Sequence, residues 1–289
     1  MTPSWEFEAI GTGWRVDSAE PVPPAIRAAV EHRIDGYDRA FSRFRPDSLV
    51  SSQARDGGSV TYPTEAAPLL ALYLELAAIT DERVTPLLGR SLERLGYGAG
   101  YALTPTGAPE PAPRLAETLT VDGSRLTLRQ PALLDVGAAG KGQLVDLVAA
   151  DLGAAGVRGV TVDAGGDVRH DGAQPLPVAL EHPFDPSAAI GVVELAGERR
   201  AIAGSAGNRR AWGDGWHHIL DGSTGLPVRS VVATWALAST AMLADALATA
   251  LFFVPGGVLE RDYDVDWVRV LADGTVERSA TLPGSVFSA

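Results

Sequence analysis

Apolar residues recur at helical spacing over 25–40, at Ile26, Val30, Ile34 and Tyr37, which predicts a helix with one buried stripe. PVPP at 21–24 breaks the chain before it, and Pro46-Asp47 marks a turn after it. The stretch 65–95 has a helical pattern interrupted at Asp81 and Pro86. Past the tight turn TVDG (120–123), RLTLRQ alternates in polarity with the period of a strand. The Gly-rich stretch GAAGKG (137–142) opens an apolar helix to about Leu152. VRGVTVD (157–163) reads as a short apolar strand running into Ala-Gly-Gly-Asp (164–167). Further strands are expected near 176–181, 190–195, 200–204 and 231–237, then a helix over 239–254 and a final hairpin on the Asp273-Gly274 turn. Hairpin-like strands with a few long helices inserted predict an α+β fold of mixed, mostly antiparallel sheets. The proline-rich stretch 104–114 reads as a surface loop across which strands can still pair. Residues 1–289 are therefore expected to form a single domain, or two tightly packed subdomains.

Composition narrows the function. The 289 residues are 46% hydrophobic and 21% charged, an ordinary globular mix. With 24 Lys+Arg against 36 Asp+Glu, the net charge is −12. Such a chain is a poor partner for nucleic acid or for anionic membranes. A phosphate ligand would need a local Lys, a helix end or a metal ion. The absence of cysteine removes disulfides, thiolate zinc sites and cysteine nucleophiles. The N-terminal MTPSWEFEAIGTGWRV has no basic segment followed by an apolar run, so a cytoplasmic setting is expected. Residues 231–255 carry one charge, Asp245. Their β-branched and aromatic first part and Ala/Leu-rich remainder read as a buried strand and a helix rather than a membrane span, in which a central Asp would cost about 2.5–3.5 kcal/mol.

Four places could carry chemistry. GAAGKG lacks the Ser or Thr of a phosphate-binding P-loop, since Gly142 follows Lys141. It is either an anion site at a helix start or a tight connection with a solvated Lys. Asp163-Ala-Gly-Gly-Asp167 is either a close backbone approach to a ligand or a structural turn. Asp245 and Thr249, four apart on a helix, share one face and offer oxygens that suit Mg²⁺; the plainer reading is an Asp capping a nearby loop. His217-His218 precedes the polar turn Asp221…Thr224-Gly225 and offers a general base; adjacent strand residues point apart, which argues against a shared metal ion.

In order, these places resemble the ApbE family, the FAD:protein FMN transferases. The resembling blocks are IGTGW (10–14), FSRFRPDSLVSSQ (41–53), LLDVGAAGKGQLVD (133–146), VTVDAGGDV (160–168), HHILDGSTGLPV (217–228) and ADALATALFFVP (244–255). The resemblance implies Mg²⁺-dependent transfer of FMN from FAD to a Thr or Ser hydroxyl of an acceptor flavoprotein, with AMP released. Hydrolysis of FAD to FMN and AMP, or FAD binding without turnover, are the alternatives. It places Mg²⁺ on the carbonyl of Ala138 and on Asp245 and Thr249. FAD contacts fall on Ile10, Phe44, Asp135, Ala138 and Lys141, and the base for the acceptor hydroxyl falls on His218. Against the family pattern, Phe44 replaces Tyr, Gln53 replaces Asn, Ala248 replaces Ser or Asp, Gly140 replaces Ala, Gly222 replaces Pro, and SAGNR (205–209) lacks a Tyr.

Overall fold

Strands Ser4–Ala9 and Thr12–Asp17 are joined by Ile10 and Gly11 alone, both left-handed at φ 46° and 74°. A two-residue turn of this kind has the twist that right-twisted strands need, and it fixes the register at Ala9↔Thr12. In the computed structural model, which describes residues 2–213 and 215–287, this hairpin begins an eight-stranded sheet. Its order continues through Thr161–Ala164, Val168–His170, Ala201–Ala206, Val231–Ala238, Asp266–Leu271 and Val276–Arg278. Every described pairing in it is antiparallel, as the hairpin-like pattern predicts.

The chain divides into two compact units. One comprises Met1–Ile34, Lys141–Ala206 and Ser230–Ala289; the other comprises Asp35–Gly140 and Gly207–Arg229. The first holds the eight-stranded sheet and a three-stranded one built from Leu176–His182, Asp185–Leu195 and Gly284–Val286. Leu180, Val193, Leu195, Ile202, Leu237 and Val268 form one apolar cluster there. Helix Gly140–Ala154 buries Leu144, Val145, Val148 and Leu152 completely, each burial contributing about 1.5–3 kcal/mol.

Two boundaries differ from the sequence expectation. The strand expected over 157–163 begins at Thr161, because the chain first closes the helix with Gly156 at φ 83° and Val157 N–H donating to Leu152 O, then turns again at Gly159, φ 61°. The helix expected over 239–254 is Ala241–Ala250. Thr240 caps it by accepting from Leu243 N–H, and 251–254 wind on as tight turns before Pro255. Among the described residues no helix is long and apolar enough to cross a membrane.

The second unit contains helices Leu49–Asp56, Ala66–Thr80 and Gly89–Arg94 and the antiparallel sheet of Gly58–Thr61, Arg125–Leu128 and Leu119–Asp122. Asp81 ends its helix at φ 53°. The proline-rich 104–114 is irregular, as expected, and lies within this unit. Two departures from the family pattern have local causes here. Gln53 is buried and donates to Gly58 O and Leu126 O while accepting from Tyr62 Oη. Gly222 donates its N–H to Arg83 O, a bond proline cannot make, and a Cβ there would lie 2.5 Å from Glu82 O.

One buried carboxylate ties the first unit together. Asp266 accepts from Ser279 Oγ (2.8 Å), Thr281 Oγ1 (2.6 Å) and Arg199 Nε (2.7 Å). Burial pushes its pKa up, but these donors outweigh that and hold it below the usual carboxylate range. Its contribution is therefore full at neutral pH and is lost as pH falls through its folded pKa. Asp266→Ala, which leaves the Ser279 and Thr281 hydroxyls without their acceptor while Arg199 keeps its pair with Asp264, is expected to cost about 1–3 kcal/mol in urea unfolding at pH 7. That deficit should shrink in acid; an equal deficit at pH 7 and in acid would contradict the assignment.

Candidate active site

In the first unit the sharp turn Ala164-Gly165-Gly166-Asp167 is the key local element. Gly165 and Gly166 have φ of 65° and 103°, and Gly166 N–H donates to Asp163 Oδ1. A Cβ on Gly165 would lie 2.2 Å from Thr12 Oγ1, so only glycine lets this turn approach the hairpin that carries Ile10. The turn delivers Asp167, fully buried, to Lys141 at the start of its helix: Nζ lies 2.5 Å from Asp167 Oδ2 and 3.1 Å from Ala164 O. Lys141 is thus an engaged ammonium rather than a solvated one.

Beside this pair stands Asp245, 5% exposed, accepting from Gly142 N–H at 3.0 Å. Gly142 replaces the P-loop hydroxyl residue for a steric reason, since a Cβ would fall 2.2 Å from Ala241 O and 2.8 Å from Asp245 Cβ. Burial first, then the charge of Asp167, push Asp245 well above the usual carboxylate range. Burial also raises Asp167, against the opposing charge of Lys141. Two carboxylates share one ammonium, and Asp167 Oδ1 is buried without a hydrogen-bond partner. Ionising both carboxylates would leave one negative charge uncompensated, and the hard oxygens of the cluster fit a divalent cation such as Mg²⁺, which would supply that compensation. Thr249 lies one turn further along the same helix, half-buried. Asp146 holds that helix in place, accepting from Ala241 and Met242 N–H at 2.9 Å each. Ala248 is fully buried and its carbonyl takes the Thr234 hydroxyl at 2.6 Å, so this position faces packed core.

The second unit gathers Phe44, Asp135, Ala138 and His218. Asp135 receives Arg43 Nε and, at 2.7 Å, Gly137 N–H. Burial would raise its pKa, but Arg43 outweighs this and Asp135 stays ionised below its ordinary range. Ala138 N–H donates to Tyr73 Oη at 3.0 Å, which fixes the loop. Arg43 also donates to Tyr97 O (2.7 Å) and lies 4.1 Å from the Phe44 ring centroid. Tyr97 joins a ring cluster with Phe44, Tyr101 and Trp212, and its ring centroid lies 6.4 Å from that of His218.

The two histidines separate clearly. His217 Nε2 donates to Val228 O (2.9 Å) and Nδ1 accepts from Ile219 N–H, so both nitrogens serve the loop. His218 Nδ1 is shut from solvent and has no partner. Burial, helped by Arg210 and His217, pushes the His218 pKa down to about 3, leaving a neutral ring with a free lone pair. Among the described residues no group of three or more His, Cys, Asp or Glu side chains is placed to hold a metal ion.

Sequence reasoning passed over Arg43, Tyr97 and Tyr101 as functional residues and left Asp167 open as a turn residue. Arg43 stands beside Phe44 in a block already singled out, but an arginine in sequence gives no sign of being buried. Tyr97 and Tyr101 lie outside every block.

A model described as the ApbE family matches residues 10–259. A Rhodobacter capsulatus protein named FAD:protein FMN transferase is 32% identical over 272 residues, covering 86% of this chain and 49% of its own length. This chain thus spans about half the length of that relative. A protein of the same name from Vibrio cholerae is 27% identical over 242 residues, 78% of this chain and 72% of its own. Among solved structures, the ApbE protein from Thermotoga maritima superposes with a TM-score of 0.84 at 26% identity, covering 97% of this chain and 98% of that one. The flavin transferase ApbE from Vibrio cholerae, at 19% identity and TM-score 0.78, covers 97% of this chain and 98% of its own and shares the fold.

Proposed function

This chain belongs to the ApbE family, and from that membership we propose that it transfers FMN from FAD to a Thr or Ser hydroxyl of an acceptor flavoprotein, releasing AMP. The relatives' names support FMN transfer from FAD to a protein. The observation in this chain that carries it is the buried pairing of two carboxylates, Asp167 and Asp245, beside a single ammonium, Lys141, in a protein of net charge −12. Asp245, Thr249 and the Ala138 carbonyl would hold Mg²⁺, which would neutralise charge building on the diphosphate as AMP departs.

The remaining roles belong to the chain's own groups. Lys141 steadies the carboxylate pair and has a third N–H for a phosphate oxygen. Arg43 keeps Asp135 ionised, so Asp135 is an acceptor toward the substrate as well as toward Gly137 N–H. Phe44 offers a ring to the flavin, and Ile10 sits at a turn where backbone N–H groups can meet it. His218 Nδ1 takes the proton of the acceptor hydroxyl. The hydroxyl oxygen bonds to the FMN phosphorus, and the P–O bond to AMP breaks. Most of the acceleration is positioning and charge stabilisation.

The test is incubation with FAD and Mg²⁺, with and without an apo flavoprotein that carries phosphoester-linked FMN when mature. Acceptor mass and released nucleotides are both measured. We expect AMP and FMN-modified acceptor in equal amounts, abolished by chelator. Equal free FMN and AMP without acceptor would replace transfer with FAD hydrolysis. Bound FAD with no products would leave a binding protein.

A further inference from the structure

The loop 97–104 carries a feature that the roles above leave unused. Tyr101 lies parallel to Phe44, with ring centroids 5.3 Å apart and planes at 8°, yet is 50% exposed. Its backbone is left-handed, φ 45°, as is that of Leu103 two residues on, φ 51°. Neither is a residue type that settles there without strain. Such strain persists where it serves a ligand clamp or switch. The base of the loop is firm: Leu103 N–H donates to Gly96 O at 2.9 Å, and a Cβ on Gly96 would lie 2.4 Å from Thr104 N. Its tip is held lightly, by Tyr101 N–H to Gly98 O and the ring stack, and contains Gly98 and Gly100. A Cβ on Gly100 would meet nothing within 4 Å.

We propose that Tyr101 is a clamp for the flavin ring and thereby a specificity-determining residue. This rests on the proposed FAD reading, in which Phe44 takes the isoalloxazine. A third ring needs about 7 Å between the outer planes, twice the carbon–carbon contact distance of about 3.5 Å. The closed stack is too tight for that, so the tip swings outward by one ring thickness. Tyr101 then closes on the face of the isoalloxazine turned away from Phe44. One stack is exchanged for two, and opening relaxes the two left-handed residues, so displacement is favoured only by a planar aromatic ligand. ADP, which lacks the flavin, gains nothing from the movement.

The test compares FAD, riboflavin and ADP binding by wild type, Tyr101→Ala and Tyr101→Phe, with flavin fluorescence as the direct readout. Tyr101→Ala should weaken FAD and riboflavin by about tenfold, equivalent to about 1.4 kcal/mol, and recover much of the bound flavin's fluorescence. ADP affinity should not change, and Tyr101→Phe should bind like wild type. Unchanged or tighter flavin binding by Tyr101→Ala would overturn the clamp, as would an equal loss for ADP. If wild type binds ADP but neither flavin, the FAD reading itself fails and takes the clamp with it.

Discussion

Asp245→Asn is expected to lower AMP release by about 10³-fold while leaving the melting temperature within a few degrees of wild type, or raising it. The loss of rate follows from the role proposed for Asp245. A metal ion at a transferring phosphoryl group supplies several kcal/mol, and about 4 kcal/mol is 10³-fold. The amide keeps an oxygen for Gly142 N–H but gives up the charge that would hold the cation. The stability side has the opposite sign because of the surroundings. Asp245 is 5% exposed beside a second carboxylate, and both burial and that neighbour's charge disfavour its ionised form. Neutralising it leaves Lys141 and Asp167 as a balanced ion pair. Asp245→Ala should be equally inactive and less stable than Asp245→Asn, because Gly142 N–H loses its acceptor, at about 1–3 kcal/mol. Turnover by Asp245→Asn within tenfold of wild type would remove Asp245 from the metal site. Collapse of both variants' melting temperatures would instead make the carboxylate structural.

His218→Asn should lower the rate constant of transfer by about 10²–10⁴-fold with little change in FAD affinity, the range for a lost general base. Its pH behaviour distinguishes this from general damage. The ring's pKa is pushed down to about 3, chiefly by burial, so His218 stays neutral across the assay range. Transfer by wild type should therefore show no acid limb near pH 6.5 from this residue. Stability carries the matching signature. Between pH 6.5 and about 3 the unfolded chain binds a proton on His218 that the folded chain does not. Stability therefore falls as pH drops through that window. His218→Asn removes this loss, so its urea midpoint at pH 4.5 should rise relative to wild type by more than it does at pH 7.5. An acid limb near pH 6.5 that disappears in His218→Asn would mean that the ring titrates in the folded protein as it does in water.

Much of the local structure is legible in the chain because its causes are local. The stripe of Ile26, Val30, Ile34 and Tyr37 lies on one helix. The alternation of Arg125–Leu128 pairs as a strand on both edges. Helix Ala241–Ala250 carries Asp245 and Thr249 on one face, as their spacing requires. Where local readings erred, at 157–160 and 251–254, glycine conformation and turn winding decided boundaries that an apolar pattern cannot mark.

By itself the sequence determined the α+β class, the antiparallel pairing, the family, and which short blocks hold the candidate chemistry, since periodicity, turn residues and motif order are properties of neighbouring residues. Only the tertiary structure decided that Lys141 is paired with Asp167, that Asp167 presses on Asp245, that Arg43 is buried against Asp135, and that Tyr101 covers Phe44. Those facts depend on burial and on side chains brought together from distant segments. Charge pairing, pKa and ring stacking are set by what surrounds a group in space, and sequence neighbours do not contain that information.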